Sequence, residues 1–130
     1  MGLVHLVPLD RQNRRILESD KVCDAVGALG DSVALHQWAT RFHLLGDPSR
    51  LALLVAIAQA GPISVTDLAV AADMNDTTVS QALRLLKAAR VVRAHRDGRI
   101  VRYELTDASI ARLLDNVSTS RPRHRHSASH

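Results

Sequence analysis

The chain has 130 residues and a formal net charge of +4, a length that allows one domain with tails and excludes two independent ones. Its residues are 46% hydrophobic but only 2% aromatic, namely Trp38, Phe42 and Tyr103, so the core must be built from Leu, Val, Ile and Ala, which disfavours an all-β sandwich. The single Cys23 excludes an intrachain disulfide and a cysteine-rich zinc finger. No apolar run approaches the ~20 residues that cross a bilayer, and the stretch before Pro8 lacks the basic start of a secretory signal. The expectation is a soluble, cytoplasmic protein with no membrane role, whose basic excess calls for an anionic partner.

Residues 1–30 mix apolar and charged side chains without a sustained period and read as an arm, with a short helix around Arg14 to Ala28. From Asp31 to Leu45, the residues Val33, Ala34, Trp38, Phe42 and Leu45 fall at helical spacing until Gly46 stops the pattern. Asp47-Pro48 starts the next helix, because the carboxylate accepts from free first-turn amides and proline has no amide to leave unpaired. Leu51, Leu54, Val55 and Ala58 follow on one face, and Gly61-Pro62 closes the helix. Ser64-Val-Thr-Asp67 has the form of a capping box with Asp in place of Glu, opening a helix through Leu68, Ala71 and Ala72, and Met74-Asn75-Asp76 is the turn after it.

A further helix starts at Thr77 and carries Val79, Ala82, Leu83, Leu86 and Ala89 toward a core, ending near Arg90. Val91 to Arg96 and Arg99 to Leu105 predict a hairpin that turns at Asp97-Gly98. Thr106 or Asp107 caps a last helix with Ile110, Leu113, Leu114 and Val117, and the Ser, Arg and His of 119–130 predict a flexible tail. The organisation expected is an N-terminal arm over 1–30, one domain over 31–118, and a His/Arg tail over 119–130, without an internal repeat.

Three helices, a tight turn between the second pair, and a hairpin directly afterwards make a mainly α fold with a small β-hairpin wing, the order of a winged helix-turn-helix. In such a unit the second helix of the pair enters the major groove, with its first turns facing base edges. Those turns carry Asn75, Asp76, Thr77, Thr78, Ser80 and Gln81, among them short hydroxyls and amides that reach bases or phosphates at little conformational cost. Arg84, Lys87, Arg90, Arg93, Arg96, Arg99 and Arg102 fall in a span whose only acid is Asp97. Neutralising phosphates needs such a concentrated field, and each contact steepens the loss of affinity with salt by roughly 0.9 in log–log slope.

Phe42-His-Leu-Leu-Gly-Asp-Pro-Ser-Arg-Leu51, Val65-Thr-Asp-Leu68, Thr78-Val-Ser-Gln-Ala-Leu-Arg-Leu-Leu-Lys87 and Arg96-Asp-Gly-Arg-Ile-Val-Arg-Tyr103 together resemble successive signatures of the ArsR/SmtB family of bacterial repressors, over about residues 33 to 117. The resemblance implies a homodimer joined by its first and last helices that represses a nearby promoter and releases its DNA when an inducer, usually a metal ion, binds. It places Thr77, Ser80 and Gln81 in the major groove and Arg96, Asp97, Gly98 and Arg99 at the wing tip. Thr78, Arg84, Lys87 and Arg102 complete the expected DNA-binding set. The partner implied is a palindromic double-stranded operator with half-sites about one helical turn, ~34 Å, apart or a multiple of it.

The metal sites of the family fit this chain only in fragments. A two-cysteine pattern on the helix before the turn is replaced by Leu68-Ala-Val-Ala71, and Cys23-Asp24 resembles the amino-terminal half of that site, but a lone thiolate with a carboxylate cannot complete four-coordination. In the site on the last helix, the first Asp is matched by Asp107, but Ser109, Ser120 and Arg123 stand at the other ligand positions. His124, His126 and His130 offer imidazoles suited to nickel, cobalt or zinc, or else form a basic tail that strengthens DNA binding. Two alternatives stay open: a repressor of the same fold that answers to oxidation of Cys23 or to no inducer, and a winged-helix module that binds protein. No phosphate loop, nucleophile elbow or metal-hydrolase histidine pair points to an enzyme.

Overall fold

The computed structural model describes residues 7–11 and 13–117. The chain forms two compact units, Met1–His43 and Leu44–His130. Among the described residues the first begins with a 3-10 turn at Leu9–Arg11, continued by a bond from the Arg14 amide to the Arg11 carbonyl at 3.1 Å. Helix α1 (Ser19–Leu29) follows, starting later than the expected Arg14 because that turn and the coil after it occupy the intervening residues. Gly30 ends α1 with φ +60°, a conformation glycine takes without a Cβ penalty. Asp31 then caps α2 (Ser32–Leu45), its Oδ1 accepting from the Ala34 amide at 2.8 Å. None of the α2 residues is buried, and Val33, Leu35 and Phe42 stand exposed.

The second unit begins with the last turn of α2, where Leu44 and Leu45 pack on its core. Asp47 accepts from the Arg50 amide at 3.0 Å and Pro48 is the first residue of α3 (Pro48–Ala60), as the Asp-Pro pair predicts. The buried residues of α3 are Leu53, Leu54 and Ile57, whereas Ala58 is exposed and Leu51 and Val55 are half-buried. The inner face is therefore rotated from the expected one: a helix apolar nearly all round gives no period from which to choose its inner side. Ser64 caps α4 (Val65–Ala72) through the Asp67 amide at 3.2 Å. Helix α5 (Asp76–Ala88) buries Val79, Leu83 and Leu86. With Leu68, Val91, Val92, Ile110 and Leu114 these complete a purely aliphatic core.

Strands β2 (Val92–Asp97) and β3 (Ile100–Leu105) form the wing. Asp97 pairs with Ile100, so the two-residue turn is Gly98-Arg99 rather than the expected Asp97-Gly98. Gly98 has φ +67° and Arg99 does not share it, the sign pattern of a type II′ turn with glycine first. A two-residue strand, β1 (Ile63–Ser64), joins the outer side of β3 through Ile63↔Tyr103 and Ser64↔Arg102, giving the order β1-β3-β2. It is too short to leave a period in the sequence. Thr106 Oγ donates to the Arg90 carbonyl at 2.8 Å, and Asp107 accepts from the amides of Ser109 and Ile110, so Asp107 is the cap of α6 (Ala108–Val117). No helix among the described residues is long and apolar enough to cross a membrane.

Gly61 is where α3 meets the sheet: a Cβ there would lie 2.6 Å from the Ile57 carbonyl oxygen and 3.2 Å from that of Tyr103. Both neighbours are backbone and cannot yield as a side-chain tip would. Gly61→Ala is expected to lower stability by about 1–3 kcal/mol, the usual cost of forcing atoms into packed space. A urea midpoint that falls at unchanged slope would be the signature.

Candidate nucleic-acid interface

The turn that presents α5 is set by three residues. Asp73 closes α4 in the left-handed region with φ 57°, the Met74 amide donates to the Ala69 carbonyl at 2.9 Å, and Asn75 Oδ1 accepts from the Thr78 amide at 2.8 Å. The Asn75 side chain, expected among those facing a groove, instead holds the helix start. Asp76 follows as the first residue of α5, where a carboxylate is favoured by the helix dipole.

Beyond its cap, α5 has two faces. Val79, Leu83 and Leu86 are wholly buried. Thr77, Ser80, Gln81 and Arg84, spaced i, i+3, i+4 and i+7, are exposed, as are Thr78 and Lys87. Residues at that spacing line one side of a helix, so the hydroxyls and the amide form a stripe opposite the core, with Arg84 and Lys87 along its later part.

The wing adds charge, and the pairing across its ladder decides which cations are free to meet an anion. Arg93 sits opposite Glu104 and its Nε donates to that carboxylate. Arg102 reaches Asp97 at 3.3 Å. Glu104 lies just beyond the basic span, and only the register brings it to Arg93. Among the described residues Arg84, Lys87, Arg90, Arg96 and Arg99 enter no such ion pair. The Arg102–Asp97 pair is exposed, a geometry worth about 0–1 kcal/mol, so a phosphate can displace it at small cost. Arg99 and Arg102 also line, with Ser64 and Thr66, a cleft of about 430 Å³ between the start of α4 and β3.

The expected metal-binding residues are placed less favourably. Among the described residues no three or more His, Cys, Asp and Glu side chains come together to hold a metal ion. Cys23 is buried while its neighbour Asp24 is exposed, and Asp107 is engaged in capping α6. His124, His126 and His130 lie outside the described residues. The residues described therefore do not by themselves fit a transition-metal site. Burial first, then the carboxylates of Asp20 and Asp24, push the Cys23 thiol above its ordinary value. Lys21, which would oppose them, is paired with Glu18 at 3.0 Å. Oxidation proceeds through the thiolate, so this environment weighs against a redox switch at Cys23.

A helix-turn-helix whose second helix bears an outward polar stripe, followed at once by a basic hairpin, defines a winged helix-turn-helix protein of the DNA-binding type. The family model HVO_A0114 matches residues 47–110. The chain is 42% identical over 87 residues to the HTH-type transcriptional regulator NmtR of Mycobacterium tuberculosis, covering 67% of this chain and 72% of that protein. It is similar to the homodimeric winged helix-turn-helix DNA-binding domain of a possible ArsR-family regulator from Mycobacterium bovis, with 35% identity and a TM-score of 0.59 over 68% of this chain and 84% of that one. The antimony-specific transcriptional repressor AntR is similar with 29% identity and a TM-score of 0.63, over 85% of this chain and 88% of that one. The chain belongs to the ArsR/SmtB family of transcriptional repressors.

Proposed function

We propose that this protein is a cytoplasmic homodimeric repressor that lays α5 in the major groove of a palindromic operator and releases it when a divalent transition metal binds. The observation that carries the DNA reading is the stripe Thr77, Ser80, Gln81 and Arg84, exposed on the helix whose other face is the core. Hydroxyls and an amide suit base edges, while Arg96 and Arg99 on the wing suit phosphates. Thr78, Lys87 and Arg102 serve as flanking backbone contacts. The dimer is supported by α2, which buries none of its residues while exposing Val33, Leu35 and Phe42. Apolar surface of that kind is a normal interface component, and the Mycobacterium bovis neighbour is homodimeric.

The test is selection of duplexes by the full chain from a random pool, with sedimentation of the resulting complex. A two-fold-symmetric site bound by two chains is the expected outcome. Selection that enriches no common sequence would overturn the proposed function.

The inducer reading is supported by donor chemistry, since imidazoles at His124 and His126 sit two residues apart with His130 beyond, a set that nickel, cobalt or zinc accepts. Cys23, Asp24 and Asp107 are not part of this proposed histidine set. Adding nickel, cobalt or zinc is expected to weaken operator binding by roughly 5 to 150-fold, the range of ordinary allosteric coupling. A chain ending at Val117 should lose that response while keeping its DNA affinity without metal. An undiminished metal response after truncation would remove the tail from the sensor.

A further inference from the structure

Within the first unit, the segment around the Leu9–Arg11 turn borders a cleft of about 230 Å³. Its apolar lining is Val22 and Val26 of α1 with Ile16 and the buried Val7. Arg11, Arg14 and Arg15 line the same space, and among the described residues no carboxylate does. Among the described residues none of the three arginines enters an ion pair, and Glu18, the acid that follows them in sequence, is engaged with Lys21 at 3.0 Å.

Three guanidinium groups within five residues repel one another, and an anion at their centre would relieve that repulsion. Beside apolar walls, where water screens less, such an attraction is stronger than in open solvent. Guanidinium groups also match the planar fork of a carboxylate better than a point charge would. The floor sets the other half of the ligand. Val22, Val26 and Ile16 are only half-buried, leaving apolar surface within the cleft that an apolar body would cover. The volume lies just below the ~300–1,000 Å³ of pockets for drug-sized molecules, which limits the occupant to a short chain or a single ring.

We propose that this cleft binds a small amphipathic carboxylate, its head held by Arg11, Arg14 and Arg15 and its apolar body against the valines of α1. A DNA backbone would satisfy the arginines but leave the apolar floor unused, so the small carboxylate accounts for more of the site. The site is independent of the groove-facing stripe on α5 and stands whether or not the operator reading does.

Calorimetric titration of the full chain with octanoate tests it, with octanol as the head-less control and inorganic phosphate as the body-less one. One saturable octanoate per chain is expected, with both controls weaker by about tenfold or more, since charge-assisted and apolar contacts must act together. The double variant Arg14→Gln/Arg15→Gln, altered only at exposed positions, should weaken octanoate about tenfold or more. Val26→Phe, which fills the floor, should weaken octanoate while leaving phosphate unchanged. The proposal is overturned by the absence of saturable octanoate binding or by phosphate binding as tightly as octanoate. It is equally overturned if the arginine variant keeps its octanoate affinity and loses only affinity for duplex DNA.

Discussion

Replacing Arg84, Arg96 and Arg99 together by alanine should weaken binding to every duplex alike and flatten its dependence on salt. Each phosphate contact releases counterions worth roughly 0.9 in log–log slope, so removing three from each chain should reduce the slope by about 2.7 per chain. Between 50 and 200 mM salt that difference amounts to roughly 40-fold in affinity per chain. The three side chains suit the test because they are exposed and, among the described residues, enter no ion pair. Exposed substitutions of this kind usually change folding stability by less than about 0.5 kcal/mol, so altered binding would not reflect a damaged fold. Fluorescence anisotropy across a salt series reads the slope directly. A triple variant with the parent's slope would show that the wing and the end of α5 do not meet the phosphate backbone. Arg93 makes the internal contrast: its carboxylate partner, Glu104, is already supplied across the ladder, and Arg93→Ala should disturb the hairpin more than the salt slope.

Most of the second unit was legible in the sequence because its instructions are local. Asp47 and Ser64 act as caps where their side chains predict them, Val79, Leu83 and Leu86 face the core from the spacing that marks them, and the hairpin forms where two runs flank a glycine. The parts that escaped are set by pairing between distant residues. Strand β1 exists because Tyr103 and Arg102 offer a free edge of β3, a partner nothing in Ile63-Ser64 announces. The one-residue shift of the wing turn follows from the Asp97↔Ile100 pairing, since register depends on both strands while the Asp-Gly signal belongs to one. The inner face of α3 was hidden for the opposite reason, an excess of apolar residues that made every side plausible. In the first unit the weak periodicity of the arm concealed a helix boundary, and the arginines of the N-terminal cleft look like ordinary surface charge until folding sets them beside Val22 and Val26. The polar stripe of the candidate interface was readable early because it is what remains of α5 once the core positions are removed.

That same stripe carries the second large effect, since Ser80→Ala with Gln81→Ala should erase discrimination between the selected operator and a scrambled duplex while leaving the salt slope in place. Phosphate contacts position a protein on DNA without reading it, and sequence is read through donors and acceptors at base edges. A good bidentate pairing with a base is worth about 1–3 kcal/mol of discrimination, and in a two-fold dimer each substitution takes its pairing away from both half-sites. Gln81 pairing in each of two chains would then supply about 2–6 kcal/mol, with Ser80 adding to it, a large share of the whole gap between specific and non-specific binding, about 4–10 kcal/mol. The fold should tolerate the change: both positions are exposed, alanine favours helix, and the cap at Asn75 is untouched. Competition binding against the scrambled duplex measures the ratio, and equal unfolding midpoints for parent and variant would confirm that the fold is not the cause. If the double variant still prefers the selected sequence as strongly as the parent, base readout lies elsewhere than at Ser80 and Gln81, whatever the wing contributes to affinity.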